Sequence, residues 1–174
     1  MKNPEDFEIQ PLTASAFAIF GDVIEANSAN AFLINDGRAQ RFHDLAKIEV
    51  SANDGHPLIS IVRSEPSRFP LTLRKVERHP LGSQAFIPLG NIPFLIVVAP
   101  STKEGLPGMP RAFLSNGDQG VNYKAGIWHH SLIALNVTTD FLVVDRGGVG
   151  NNCDEIELKQ EIVIEHFDIH NVPP

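Results

Sequence analysis

The chain is poor in several things, and each shortage narrows what it can be. It holds a single cysteine, Cys153, in 174 residues, so no internal disulfide framework staples the fold. That thiol stands next to Asp154 and Glu155. Neighbouring negative charge raises a thiol pKa, which argues against a cysteine nucleophile. Basic residues are scarce, 14 Lys and Arg against 21 Asp and Glu, for a net charge of −7. A phosphate-binding surface needs clustered Lys and Arg, and none occurs, so nucleic acid is excluded as an expected partner. Long apolar runs are missing too. The longest, "IPFLIVVAP" at residues 92–100, is far short of the roughly 20 residues that span a bilayer as a helix. The opening "MKNPEDFEIQPL" has no apolar core of a signal peptide. The expectation is a cytoplasmic protein with no membrane partner. The sequon "NVT" at 136–138 is then a chance match.

Several catalytic signatures are also absent. There is no phosphate-cradling glycine loop with its lysine, no dinucleotide glycine fingerprint, no HExxH and no GxSxG elbow. "DRGGVGNN" at 145–152 is glycine-rich but follows no βα pattern, and reads as a tight turn.

What is present reads as an ordinary globular chain, 43% apolar and 20% charged, long enough for one domain covering residues 1–174. One helix signal stands out in "TASAFAIFGDV": Thr13 caps, Phe17 and Phe20 recur at helical spacing, and Gly21 ends it. Most of the rest predicts short strands at 57–63, 70–79, 83–89, 92–99, 111–116, 127–135, 139–146 and 161–167. Gly, Pro, Asn and Asp clusters separate them, and no helical periods alternate with them. The prediction is a mostly β fold, an antiparallel sandwich or barrel with one or two short helices. "PSTKEGLPGMP" at 100–110 is the most loop-like segment, and "DIHNVPP" at 168–174 reads as a surface tail.

Two patches carry chemistry, "VERHPLGSQAFIPLG" at 76–90 and "GVNYKAGIWHH" at 120–130. Glu77 and His79 are two apart, so on a strand they share a face. Gln84 opens the next strand, and His129 follows Gly126 by three. His129 and His130 are neighbours, so on one strand they point to opposite faces. Residues 129, 131, 133 and 135 are His, Ser, Ile and Leu; 130, 132, 134 and 136 are His, Leu, Ala and Asn. Both faces are mixed, and parity alone does not choose between the histidines.

These patches resemble the two cupin signatures. Glu77-x-His79, Gln84 and Gly90 stand where the first would be, and Lys124-x-Gly126-x-x-His129 where the second would be. Glu77 replaces a histidine, Gln84 a glutamate and Lys124 a proline. A longer likeness runs along the chain. "FGDVIE", "INDG", "RFHDLA", "ERHPLGSQAFIPL", "RAFLSNGDQGVNY", "WHH", "TDFL" and "DRGG" occur in order, and together they resemble the ureidoglycolate lyase family.

That resemblance implies a cupin-like fold, a homodimer, and cleavage of (S)-ureidoglycolate to glyoxylate and urea in allantoin and purine catabolism. It also implies nickel or another divalent ion, for which Glu77, His79 and His129 offer one oxygen and two nitrogens. The family register assigns His129 to the cavity and turns His130 and Trp128 outward. The elimination needs a base for the hydroxyl proton, an acid for the departing urea nitrogen, and a group to hold the carboxylate. His79, His129, Glu77 and Tyr123 are the candidate catalytic groups, with Tyr123 equally able to be a core packer. Gln84, Arg63, Arg146 and His43 are the candidate substrate binders; Arg146 could instead brace its turn, and Arg63 and His43 could be surface residues. Two other classes stay open: a non-catalytic module binding a small carboxylate, and a different metal-cupin enzyme.

Overall fold

The run Phe94–Ala99 organises the molecule, because its alternate side chains serve two different cores. In the computed structural model, which describes residues 8–27 and 31–169, all six residues of this strand are buried. Phe94, Ile96 and Val98 pack with Phe17, Phe20, Phe113, Val121, Tyr123 and Phe141. Leu95 and Val97 pack on the other side with Leu73, Ile133, Leu135 and Ile164. A strand buried on both faces has to be apolar throughout, which is why it is the longest apolar run of the chain.

In chain order the elements are β1 (Ile9–Pro11), α1 (Ala14–Phe17), β2 (Gly21–Ile24), β3 (Ala31–Ile34), β4 (Ala39–Phe42), a 3-10 turn (Ala52–Asp54), β5 (His56–Ser64), β6 (Leu71–Arg78), β7 (Gln84–Pro88), β8 (Phe94–Ala99), β9 (Arg111–Leu114), β10 (Gly120–Tyr123), β11 (Trp128–His129), β12 (Ile133–Ala134), β13 (Thr139–Gly147) and β14 (Asp154–Ile164). One sheet runs β1-β9-β8-β11-β6-β14, with β12 also on β8; a second runs β2-β10-β7-β13-β5; β3 and β4 form a separate hairpin. The two curled sheets face each other across the first core, a cupin-like arrangement. Pairing is antiparallel apart from β1 on β9, which is parallel.

Strands β1–β4 and β10 lie outside the expected runs, and three further elements depart from the sequence-based expectation in their extent. The helix at residue 13 is one turn only. Thr13 Oγ1 accepts from the Ala16 amide at 3.2 Å, but Gly21 opens β2 instead of ending a helix. A Cβ at Gly21 would collide with the backbone of Asn122, so close strand approach is what requires glycine there. The last strand starts seven residues earlier than the expected 161, at Asp154. Its "EIELK" stretch alternates aliphatic and charged residues, the pattern of a strand with one wet face.

The third departure bears on the site. The expected strand 127–135 is two strands, both on β8. His129 pairs with Val98 and Ile133 with Leu95, so four steps along one strand cover three along the other. One extra residue is accommodated there as a bulge, and the strand switches faces. His129 therefore points between the sheets, while Ile133 joins the outer core with Leu95. The 100–110 loop is tied down: Gly105 O accepts from Arg78 Nη1 at 3.0 Å and from Trp128 Nε1 at 3.2 Å. Of the tail, residues 170–174 lie outside the described residues.

Candidate active site

The ladder between β6 and β11 sets Glu77 directly opposite His129. Both side chains enter the space between the sheets, and His129 Nε2 lies 3.5 Å from Glu77 Oε1. That is a polar contact, an ion pair only when the ring is protonated, and it falls short of a formed hydrogen bond. His79 follows β6 directly, and its ring centroid is 5.2 Å from that of His129.

Backbone carbonyls orient both rings. His79 Nδ1 is 2.7 Å from Asn152 O, and His129 Nδ1 is 3.1 Å from Ile127 O. A carbonyl oxygen only accepts, so each Nδ1 carries a proton, and in the neutral ring Nε2 is the atom with the lone pair. Both Nε2 atoms are buried and have no hydrogen-bond partner among the described residues. Two buried lone pairs left unmet are costly unless something is meant to meet them. The ligand atoms of Glu77, His79 and His129 lie within 4.8 Å of one another. Two neutral imidazoles, each held through its other nitrogen, plus one carboxylate suit a borderline divalent ion. Glu77 is already ionised for such a role. The polar contact with His129 holds its carboxyl below the usual carboxylate range, against the opposing effect of burial.

Tyr123 completes the wall. Its ring stacks on His129 at 4.4 Å between centroids. Burial, helped by the negative charge of Glu77, pushes its phenol well above an ordinary tyrosine. Gln84 pairs with Tyr123 across β7 and β10, and its Oε1 is buried with no partner among the described residues. The structure thus brings Glu77, His79, Gln84, Tyr123 and His129 together.

It places the other three candidates in different company. Arg63 forms a two-pronged pair with Asp140, at 2.7 and 2.8 Å, on an exposed strand beside a shallow surface hollow. Arg146 is buried, and its guanidinium donates to the carbonyls of Ala52, Asn53 and Val149 at 2.8, 3.2 and 3.0 Å. His43 is exposed beside Phe32 of the β3–β4 hairpin, with ring centroids 5.8 Å apart. Lys124 is exposed and donates to Ala18 O at 2.7 Å. Trp128 packs on the far face with Val76 and Ala99, under the Arg78 guanidinium. His130 reaches back to Ser131 O at 3.0 Å, and burial lowers its pKa. Cys153 is exposed, and partial burial with the charges of Glu77, Glu155 and Asp154 pushes its thiol up, consistent with an unreactive side chain.

One contributor was not visible in the sequence. Asn152 supplies the carbonyl for His79, while its side-chain Oδ1 accepts from the Leu81 amide at 2.8 Å. The glycine-rich turn containing it is what fixes the His79 ring. Only the unusual density of Gly and Asn in "GGVGNN" hinted at a built loop.

A curled cupin-like β-vessel with two oriented imidazoles and a carboxylate converging inside is the framework of a small-molecule enzyme. The particular kind follows from comparison with known proteins. The family model described as ureidoglycolate lyase matches residues 4–165, and the chain belongs to that family. It is 54% identical over 153 residues to "Ureidoglycolate lyase" of Pseudomonas fluorescens, covering 88% of this chain and 92% of that one. The protein of the same name from Pseudomonas paraeruginosa is 54% identical over 148 residues, 85% of this chain and 88% of that one. Among solved structures, a 3,4-ketoisomerase from Helicobacter canadensis aligns with a TM-score of 0.41 and 12% identity, over 74% of this chain and 84% of that one.

Proposed function

We propose that this chain cleaves (S)-ureidoglycolate to glyoxylate and urea, as a carbon–nitrogen lyase of allantoin and purine-nitrogen catabolism. The observation that carries the reading is the pair of buried Nε2 lone pairs of His79 and His129, aimed with Glu77 at one point in a chain of this family.

The substrate has a hydroxyl and a ureido nitrogen on the same carbon. Removal of the hydroxyl proton lets its electrons form the aldehyde carbonyl, the carbon–nitrogen bond breaks, and the departing urea nitrogen takes a proton. No water is consumed. A histidine Nε2 lone pair is suited to accept the first proton at neutral pH, since an unperturbed imidazole titrates at about 6.5. Once protonated, the same ring can give a proton to the leaving nitrogen. Glu77, still ionised, stabilises the imidazolium of His129. Tyr123 keeps its phenol proton and presses the His129 ring into place, and Gln84 presents an amide oxygen to the ureido group. With their Nε2 lone pairs given to a metal instead of to the proton, His79 and His129 would, together with Glu77, hold nickel or another divalent ion. When bound, such an ion would polarise the hydroxyl and the forming carbonyl.

In this reading Arg146 serves the site indirectly. It holds Val149 in the loop whose Asn152 orients His79. Arg63 and His43 would act as outer contacts for the substrate's carboxylate. We further read residues 1–174 as one domain acting as a cytoplasmic homodimer. The family match over residues 4–165 supports one domain, and the exposed apolar residues of β5 support the dimer. The test mixes purified protein, with and without nickel, with ureidoglycolate and follows glyoxylate and urea. Release above the spontaneous rate is expected, and its absence under both conditions rejects the reading.

A further inference from the structure

We infer that Asp145 is a specificity residue that binds the N–H groups of the ureido end of the substrate. The inference rests on the ureidoglycolate reading above and names a residue that the catalytic constellation does not include.

Phe141 and Val143 of β13 are buried in the inter-sheet core with Phe86 and Tyr123. Alternation along the strand sends Asp145 to the same inner face. Val144 pairs with Ala85, so one step further along that register Asp145 stands beside Gln84, and Gln84 pairs with Tyr123. Asp145, Gln84 and Tyr123 thus form one row across the inner face, and the row ends on His129 through the stacked Tyr123 ring. Two acceptors in this row are buried and have no donor among the described residues, Gln84 Oε1 and Asp145 Oδ1. Leaving an acceptor dry and unmet is costly, more so for a charged group. A ligand that settles this cost must bring N–H donors.

Ureidoglycolate has two ends of opposite character. Its carboxylate is acceptor-only and is repelled by Asp145. Its ureido group, –NH–CO–NH2, carries three N–H donors and suits two neighbouring acceptors. The row therefore orients the substrate: ureido end along Gln84 and Asp145, carbinol carbon at the two imidazoles. An analogue with an ester or a plain acyl group in place of the ureido nitrogens would leave both acceptors unmet and be rejected.

The test is Asp145→Asn, which keeps the shape and replaces one acceptor oxygen with a donor. Substrate turnover should fall about 10- to 100-fold in kcat/KM, carried mainly by KM. Product inhibition separates binding from a general structural defect. Inhibition by urea should weaken about tenfold, while inhibition by glyoxylate stays within about twofold. Equal weakening of both, or no change in either, overturns the inference while leaving the wild-type reading intact. Wild-type protein that releases no glyoxylate rejects that reading, and the inference with it.

Discussion

His129 Nε2 stands 3.5 Å from Glu77 Oε1 across a single rung of the β11–β6 ladder, and neither atom completes a hydrogen bond to the other. Two groups held this close but not bonded are set for a third party between them. Glu77→Gln keeps the size and removes the charge. Nickel binding, measured by calorimetry, should weaken by more than the roughly 10- to 100-fold that disturbing even an outer-shell partner of a ligand brings. Far-ultraviolet circular dichroism should be unchanged, because Glu77 lies on a strand whose other contacts remain. Unaltered nickel affinity would remove Glu77 from the ion-holding set.

The two adjacent histidines should separate cleanly. His129 is 1% exposed and stacked on Tyr123, whereas His130 turns back to Ser131. His129→Ala should lower kcat by about 10²–10⁴, the range that positioned acid–base groups supply. His130→Ala should stay within about tenfold. Steady-state glyoxylate release at saturating substrate reads both. An equal loss at His130 would reverse the assignment.

The same pair shows how far the sequence could be read. The mixed character of both faces of residues 127–135 was a real signal of a different kind. The bulge between His129 and Ile133 moves the hydrophobic set from one face to the other, and a single parity cannot describe a strand that switches faces. Glu77 and His79 were legible as a same-face pair from their spacing, and His129 from its place in the resemblance to the second cupin signature. Strand β10 was missed because "GVNY" carries a polar residue at its most buried position. Asn122 is fully buried, and its amide donates to Asp22 at 2.9 Å and to Lys47 O at 3.0 Å. Burial by hydrogen bonding leaves no hydrophobic trace in a sequence. The arginines left two roles open for a different reason. A guanidinium can clamp a substrate carboxylate or a set of main-chain carbonyls, and Arg146 holds three carbonyls.

Tyr123 is the chain's one tyrosine, so phenolate absorbance reports it alone. Burial and Glu77 raise its folded-state pKa above the ordinary value of about 10. The folded protein therefore holds the phenol proton more tightly than the unfolded chain. Stability is unaffected below about pH 10 and declines as pH rises from there towards the raised folded value. A spectrophotometric titration should show no phenolate in the native protein at pH 10, while in denaturant at that pH the phenolate signal should be about half developed. A native titration with a midpoint near 10 would mean that the ring is open to water, and the stacked wall beside His129 would not exist.

The edge strand β5 sets the last prediction. Among the described strands it pairs only with β13, so its other edge is open. Leu58, Ile59, Ile61 and Val62 are 40%, 76%, 56% and 39% exposed. Long apolar edges invite pairing and are normally blunted by charge or covered. Here the order Leu-Ile-Ser-Ile-Val is close to symmetric about Ser60. Antiparallel pairing with a second copy around that serine sets Ile59 against Ile61 of the partner subunit on the outer face. It sets Leu58 against Val62 of the partner subunit on the inner face. Such an isologous contact joins two five-stranded sheets into one and covers more of each aliphatic chain, at roughly 25 cal/mol per Å² of apolar surface removed from water. The double variant Ile59→Lys and Ile61→Lys places like charges directly opposite one another, which disfavours the pair. Sedimentation equilibrium should return twice the 19.1 kDa chain mass for the wild type and the single mass for the variant, with unchanged circular dichroism. A variant that stays dimeric would locate the interface on another face, and a monomeric wild type would remove the need for one.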